Sequence, residues 1–286
     1  AYYVQDGRRN SFVQQICLFT FANAGKNCFD FPTDAFAGYP YQLQWSPDAS
    51  MIAFSENPIE LANDADIWVF SVADGSFTNL TDDGITGSWQ VSTSDSADGV
   101  NVDYMPAWSP DGNIYFWRAV AFGGLSFDMS IYRISPDGGE AEEVRTISED
   151  LPNYVITFRN DTYFLDGYSA VSPDGTKLAA ILTTINSMGA QQPAVYVFDL
   201  EDADADAQAL ISADQWSAGI PVWQGFPPMP LGLSWANDGA GVVVFTFSNS
   251  VHTPFSVLYY ADTESGEMTP VVYFSDIESG SDYLTV

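Results

Sequence analysis

The sequence predicts an all-β chain folded as a propeller, and three observations carry that prediction. Four anchors, Trp45-Ser46-Pro47-Asp48, Trp108-Ser109-Pro110-Asp111, Val171-Ser172-Pro173-Asp174 and Trp235-Ala236-Asn237-Asp238, begin 63, 63 and 64 residues apart. A fixed period with β-rich content marks a repeat architecture. Each anchor is followed by short runs of aromatic and β-branched residues separated by Gly turns, which is how propeller blades read. Hydrophobic residues make up 46% of the 286-residue chain and aromatics 15%, enough for a packed core and too much for disorder.

Each repeat reads as four strands. The first ends in the anchor Trp, as in Tyr41-Gln42-Leu43-Gln44-Trp45. Ser-Pro-Asp then turns the chain, because Pro presets φ and Asp bonds the local backbone. Second strands follow at 51–54, 113–116, 177–181 and 242–245. Third strands lie at 67–70, 131–134, 195–198 and 257–260. Tight turns such as Asp74-Gly75, Asp137-Gly138 and Ser265-Gly266 lead to the fourth.

The ends complete the pattern. Ile16-Cys17-Leu18-Phe19 matches Ile67-Trp68-Val69-Phe70 at an offset of 51, and the same offset sets Tyr2-Tyr3 on Ala53-Phe54. The sequence given therefore enters at a second strand, while Tyr283-Leu284-Thr285-Val286 has the pattern of a first strand. The expectation is one domain, 1–286, of five four-stranded blades. A composite blade (1–35 plus 280–286) closes the ring and hides its edges, and the others span about 36–98, 99–161, 162–225 and 226–279. Part of a six- or seven-bladed propeller is the alternative.

These anchors and strands, with Asn79-Leu80-Thr81 closing the first full repeat, resemble the repeat of the TolB-like β-propellers (PD40, or WD40-like). The resemblance covers nearly the whole chain. Val171 in place of Trp, and Ala236-Asn237 in place of Ser-Pro, depart from it. It implies a propeller that serves as an interaction platform.

First-to-second and third-to-fourth turns share one face of a propeller, and here all are short. The long segments, 55–65, 82–103, 118–129, 146–165, 183–193, 212–230 and 247–254, fall on the opposite face, which is therefore the expected binding face. Its richest stretch, 215–230, holds Trp216, Trp223, Phe226 and four prolines, an apolar surface suited to stacking on sugar rings or docking a protein. It could equally fold back over the blade ends. Trp89 and Tyr104 are candidates for the same surface.

Asp103 and Asp166 each stand five residues before an anchor, at the loop-face mouth of the channel, with Asp282 near the equivalent place. Such a ring of carboxylates could ligate Ca2+, the one cofactor the sequence points to, or act as the paired carboxylates of a glycosidase. Solvated surface aspartate is the plain reading. Asp202-Ala203-Asp204-Ala205-Asp206 has the alternation of a Ca2+ loop but Ala207 and Ala213 where such a loop needs Gly and Glu, so it reads as an acidic turn.

Cys17 and Cys28 flank the turn-like Ala22-Asn23-Ala24-Gly25, and a disulfide across a hairpin is expected, with two free thiols as the alternative. A disulfide fits an extracytoplasmic setting: periplasm, cell surface or medium. Eight Lys+Arg against 38 Asp+Glu give a net charge of −30. That charge repels phosphate backbones and anionic lipid, so nucleic acid is not an expected partner. No apolar run is long enough for a membrane span.

The chain carries one histidine, His252, and no Gly-x-Ser-x-Gly elbow, His-Glu-x-x-His motif or Gly-rich phosphate loop. The leading expectation is a non-enzymatic, exported binding or scaffold propeller that engages a protein or glycan of the cell envelope. The alternatives are a carbohydrate-active enzyme using the channel-mouth carboxylates and a Ca2+-stabilised subunit of a surface assembly.

Overall fold

The computed structural model describes residues 2–6, 13–22, 24–32, 40–56, 65–84, 101–122, 126–147, 168–185, 191–212, 215, 229–248 and 255–274. All regular structure in them that spans more than a single turn is β. Four sheets are complete four-stranded antiparallel meanders: β4(40–45)-β5(51–56)-β6(67–71)-β7(77–79), β8(101–108)-β9(114–122)-β10(126–134)-β11(142–146), β12(169–171)-β13(177–185)-β14(191–199)-β15(208–211) and β16(229–235)-β17(241–248)-β18(255–262)-β19(268–274). A smaller sheet, β1(2–6)-β2(13–20)-β3(25–30), precedes them.

The first strands neighbour one another in chain order: β8 packs against β4 and β5, β12 against β8, and β16 against β12 and β13. Apolar clusters fill each gap between sheets. Ile16 and Phe31 meet Ile52, Phe54 and Phe70; Val69 and Ile67 meet Ile114 and Phe116; Trp117 meets Leu178 and Phe198; Ile181 and Val195 meet Val242 and Val244. Adjacent sheets thus share cores, as the blades of a propeller do.

The five-bladed expectation is met in part. Four blades are complete, and the fifth sheet has three strands among the described residues. Its expected first strand, 280–286, lies outside them. β1 pairs with β2 as a second strand with a third, but Tyr2 stands opposite Cys17 where the 51-residue offset expected Tyr3. Between the equivalent pairs Tyr3↔Ile16 and Ser55↔Ile67 the connection is one residue longer in the N-terminal sheet.

Each anchor opens a similar tight turn, one residue shorter at Ser109 than at the other three. The backbone N–H of Ser46, Ser109, Ser172 and Ala236 donates across the turn at 2.8–2.9 Å. The fourth turn residue is left-handed, which suits Gly112, Gly175 and Gly239 but not Ala49 (φ 57°). Ser46 Oγ donates to Asp48 at 2.7 Å and Ser172 Oγ to Asp174 at 2.6 Å, while Asp48 also accepts the Ser50 N–H at 3.0 Å. These bonds to the charged form, that from Ser46 foremost, hold Asp48 down to about 2. The hydroxyls of Ser172, Ser71 and Ser76, and the Ser265 N–H, lower Asp174, Asp74 and Asp262 in the same way.

Candidate functional site

The face opposite those turns is built differently. In the first full blade β5 and β6 pair only from Met51↔Ser71 to Ser55↔Ile67. In the next, β9 and β10 run on to Phe122↔Ser126, five pairs beyond the equivalent of Ser55↔Ile67. β13 and β14 run four further, to Ile185↔Gln191, and β17 and β18 two further, to Ser248↔Phe255. At the strand rise these two-stranded ribbons extend roughly 17, 13 and 7 Å past the blade. Within the segments expected as loops, residues 118–122 and 126–129, 183–185 and 191–193, and 247–248 are therefore paired strand. Ala119-Val120-Ala121-Phe122 continues the β pattern to the end of β9, and β10 begins at Ser126.

At the base of the tallest ribbon sits a buried polar cluster. Asp103 on β8 is fully buried, and its two carboxylate oxygens accept Arg118 Nε at 2.7 Å and Nη2 at 2.6 Å. A bulge at Met105 (φ 56°) creates this pair. Trp108 stands opposite Ile114 and Ala107 opposite Tyr115; carried on unbroken, that register would set Asp103 against Ala119. The bulge shifts it by one residue, to Arg118. The guanidinium lies over the rings of Tyr132 and Phe116, 4.7 and 5.4 Å from their centroids. Burial pushes the Asp103 carboxyl above its ordinary range, and Arg118 offsets part of that. Burial opposes charge on Arg118, but Asp103 outweighs it and pushes Arg118 up.

Asp66, just before β6, is the second member. Its oxygens accept Asn79 Nδ2 at 2.7 Å and Thr81 Oγ1 at 3.3 Å, and Thr81 Oγ1 also accepts the Ile67 N–H at 2.9 Å. Asn79-Leu80-Thr81 is thereby tied to the start of β6. Asp66 is 4% exposed, and burial, with Asp103, Asp83 and Asp82 nearby, raises it to about 6. The Asp103 N–H donates to the Ala65 carbonyl at 2.7 Å, and Ala65 bridges Val102 in parallel, so the two blades are joined here.

Among the expected site residues, Asp103 is committed to Arg118. Tyr104 is 1% exposed, its hydroxyl 3.5 Å from the Met129 sulfur, so it belongs to the core and not to an open aromatic surface. Trp89, Asp166, Trp216, Trp223, Phe226 and Asp282 lie outside the described residues. Cys17 and Cys28 are directly opposite on β2 and β3 and form the expected disulfide, with a Cα separation of 4.1 Å. Among the described residues no three His, Cys, Asp or Glu are grouped to hold a metal ion, and no helix is long and apolar enough to cross a membrane.

The acidic turn holds a feature the sequence did not signal. Arg145, on the outer strand β11, is 2% exposed and reaches into the next blade. Its guanidinium donates to the backbone carbonyls of Asp199, Asp202 and Ala205 and lies 5.7 Å from the Phe198 ring centroid. The turn with the Ca2+-loop alternation is thus folded around a cation belonging to the protein.

No family model and no curated protein matches the chain. Solved structures that it resembles include the β-propeller domain of the Trilobed protease from Pyrococcus furiosus, at 11% identity and a TM-score of 0.46 over 94% of this chain and 67% of that one. A puromycin-hydrolyzing peptidase of Mycobacterium tuberculosis matches at 14% identity and 0.44, over 94% of this chain and 36% of its own. A Niastella koreensis GH74 enzyme matches at 13% and 0.49, over 90% and 34%. The chain spans little more than a third of the latter two.

Proposed function

We propose that the chain is an exported, non-enzymatic binding propeller that engages a protein or a cell-envelope glycan through its ribbon-bearing face. One observation carries this reading: the second to fourth full blades and the β1–β2 pair all extend as two-stranded ribbons of unequal height on that face, whereas the other is made of short turns whose polar groups bond each other. Ribbons on a rigid scaffold offer walls and edges to a ligand. The resemblance to TolB-like propellers supports a platform role, and the disulfide supports an oxidising compartment. On this reading the ring has five blades, Trp216, Trp223, Phe226 and Trp89 supply apolar contacts on the same face, and Asp166 and Asp282 are candidate ligands of Ca2+.

The test is a glycan array together with solubilised envelope proteins, probed with the wild type and with W216A/W223A. Saturable binding by the wild type that the double variant loses supports the reading. Release of sugar or peptide products from any bound ligand would overturn it. A carbohydrate-active enzyme is the second reading, favoured by Asp66, whose carboxyl is raised to about 6, toward the range a general acid needs. Loss of such product release in D66N would establish it.

A further inference from the structure

One tetrapeptide, Ser-Pro-Asp-Gly, occurs at 109–112, 135–138 and 172–175. The first and third copies lie in anchors, and the second joins β10 to β11. In all three the glycine N–H donates to the serine carbonyl, at 2.9, 3.0 and 2.9 Å, and the glycine is left-handed. The aspartates differ. Asp111 accepts the Asn113 N–H at 3.1 Å and Asn113 Nδ2 at 2.9 Å. Asp174 accepts Ser172 Oγ at 2.6 Å, the Thr176 N–H at 3.1 Å and Thr176 Oγ1 at 2.9 Å. Asp137 is exposed, and its carboxylate accepts no hydrogen bond among the described residues.

Two local causes set Asp137 apart. Ser135 Oγ accepts the Asp137 N–H at 3.2 Å, whereas Ser172 Oγ donates to its own aspartate. The residue after the turn is Gly139, left-handed at φ 115°, where Asn113 and Thr176 bring donating side chains to the other two. Packing adds a third difference from the 172–175 turn. A side chain at Gly175 would touch Ser109 Oγ, 3.5 Å away, and Pro110 of the blade before; at Gly138 and Gly139, as at Gly112, it would meet nothing within 4 Å. The turn at 135–138 is thus held neither by its own carboxylate nor by a neighbouring blade.

An Asp–Gly link can rearrange without any catalyst. The glycine nitrogen attacks the side-chain carboxyl carbon of aspartate, a water leaves, and a five-membered succinimide forms. Water then opens the ring at either carbonyl, giving aspartate or isoaspartate with no net change of mass. Glycine allows this because no Cβ shields its nitrogen. The carboxyl must swing onto that nitrogen, and one tied to the following residue has to break its bonds first. The same bonds, that from Ser172 foremost, favour the ionised form of Asp174, which is the poorer electrophile. We infer that Asp137–Gly138 is a site of spontaneous isoaspartate formation, and that this turn rearranges ahead of the two others with the same sequence. The product adds one methylene to the main chain between β10 and β11, next to the Arg133–Glu142 pair that opens their pairing.

The full chain, incubated folded for weeks in neutral buffer, tests this by peptide mapping with electron-transfer fragmentation, which distinguishes isoaspartate from aspartate at each position. Isoaspartate at 137 is expected to accumulate roughly tenfold faster than at 111 or 174, the difference made by about one hydrogen bond. Equal rates at the three turns, or a faster rate at 111 or 174, overturn the inference. The same chain unfolded in urea should react alike at all three, since the tetrapeptide is the same. A ratio that persists in urea overturns it too, because the neighbouring sequence and not the fold would then set the rates. S172A/T176A, which takes two donors from Asp174, is expected to raise the rate at 174 towards that at 137; an unchanged rate there overturns the protection assigned to these bonds.

Discussion

Asp103 faces Arg118 across β8 and β9 and accepts both of its prongs, because the backbone turns left-handed at Met105 two residues further on. The carboxylate is fully buried. R118M is therefore expected to cost about 3–5 kcal/mol, the penalty of a buried charge without its partner. D103L/R118M, which removes both charges, should recover most of that loss. Urea unfolding of the two variants decides: equal losses would mean that packing, not charge, holds this corner.

Asp66 predicts a pH dependence with a definite sign. Its carboxyl is raised in the folded chain, from 3.8 to about 6. The folded state therefore binds more protons than the unfolded state between about pH 4 and 6, and stability falls as pH rises through that window. Two units correspond to roughly 3 kcal/mol. D66N carries no such charge. It should be more stable than the wild type above pH 7 and lose that advantage near pH 4. A constant difference across this range would refute the assignment.

Arg145 acts as the ion of the turn at 199–205. R145A is expected to lower stability by about 2–4 kcal/mol, since three backbone carbonyls lose a charged donor and a filled space empties. R145K keeps the charge but not the fork, and should recover only part. Amide exchange at residues 200–206 should rise in both variants; unchanged exchange there would show that the turn folds without the guanidinium.

The disulfide closes a short hairpin. Replacing Cys17 and Cys28 by Ala is expected to cost about 3 kcal/mol in the chain-entropy view. The loss should appear as faster exchange in β2 and β3, with β16–β19 unaffected. A global rise in exchange would mean that the whole ring depends on this sheet.

The tight-turn face was legible because its chemistry is local: Ser, Pro and Asp within four residues specify both the turn and its bonds. The disulfide was legible for the same reason. The ribbons were not, because a Gly-containing stretch between two apolar runs reads as loop however far the flanking strands extend. The Asp103–Arg118 pair was hidden behind a bulge, and a one-residue shift of register cannot be read from alternation alone. Tyr104 looked available because it follows a long segment; the same bulged strand carries it into the core. Arg145 was unreadable since its acceptors are main-chain carbonyls, which carry no sequence signature.

The aspartates that cap the short turns surrender their charge late, while Asp66 at the other end gives it up early. Mild acid therefore neutralises the buried corner between the first two full blades while the bonds of the capped turns still hold.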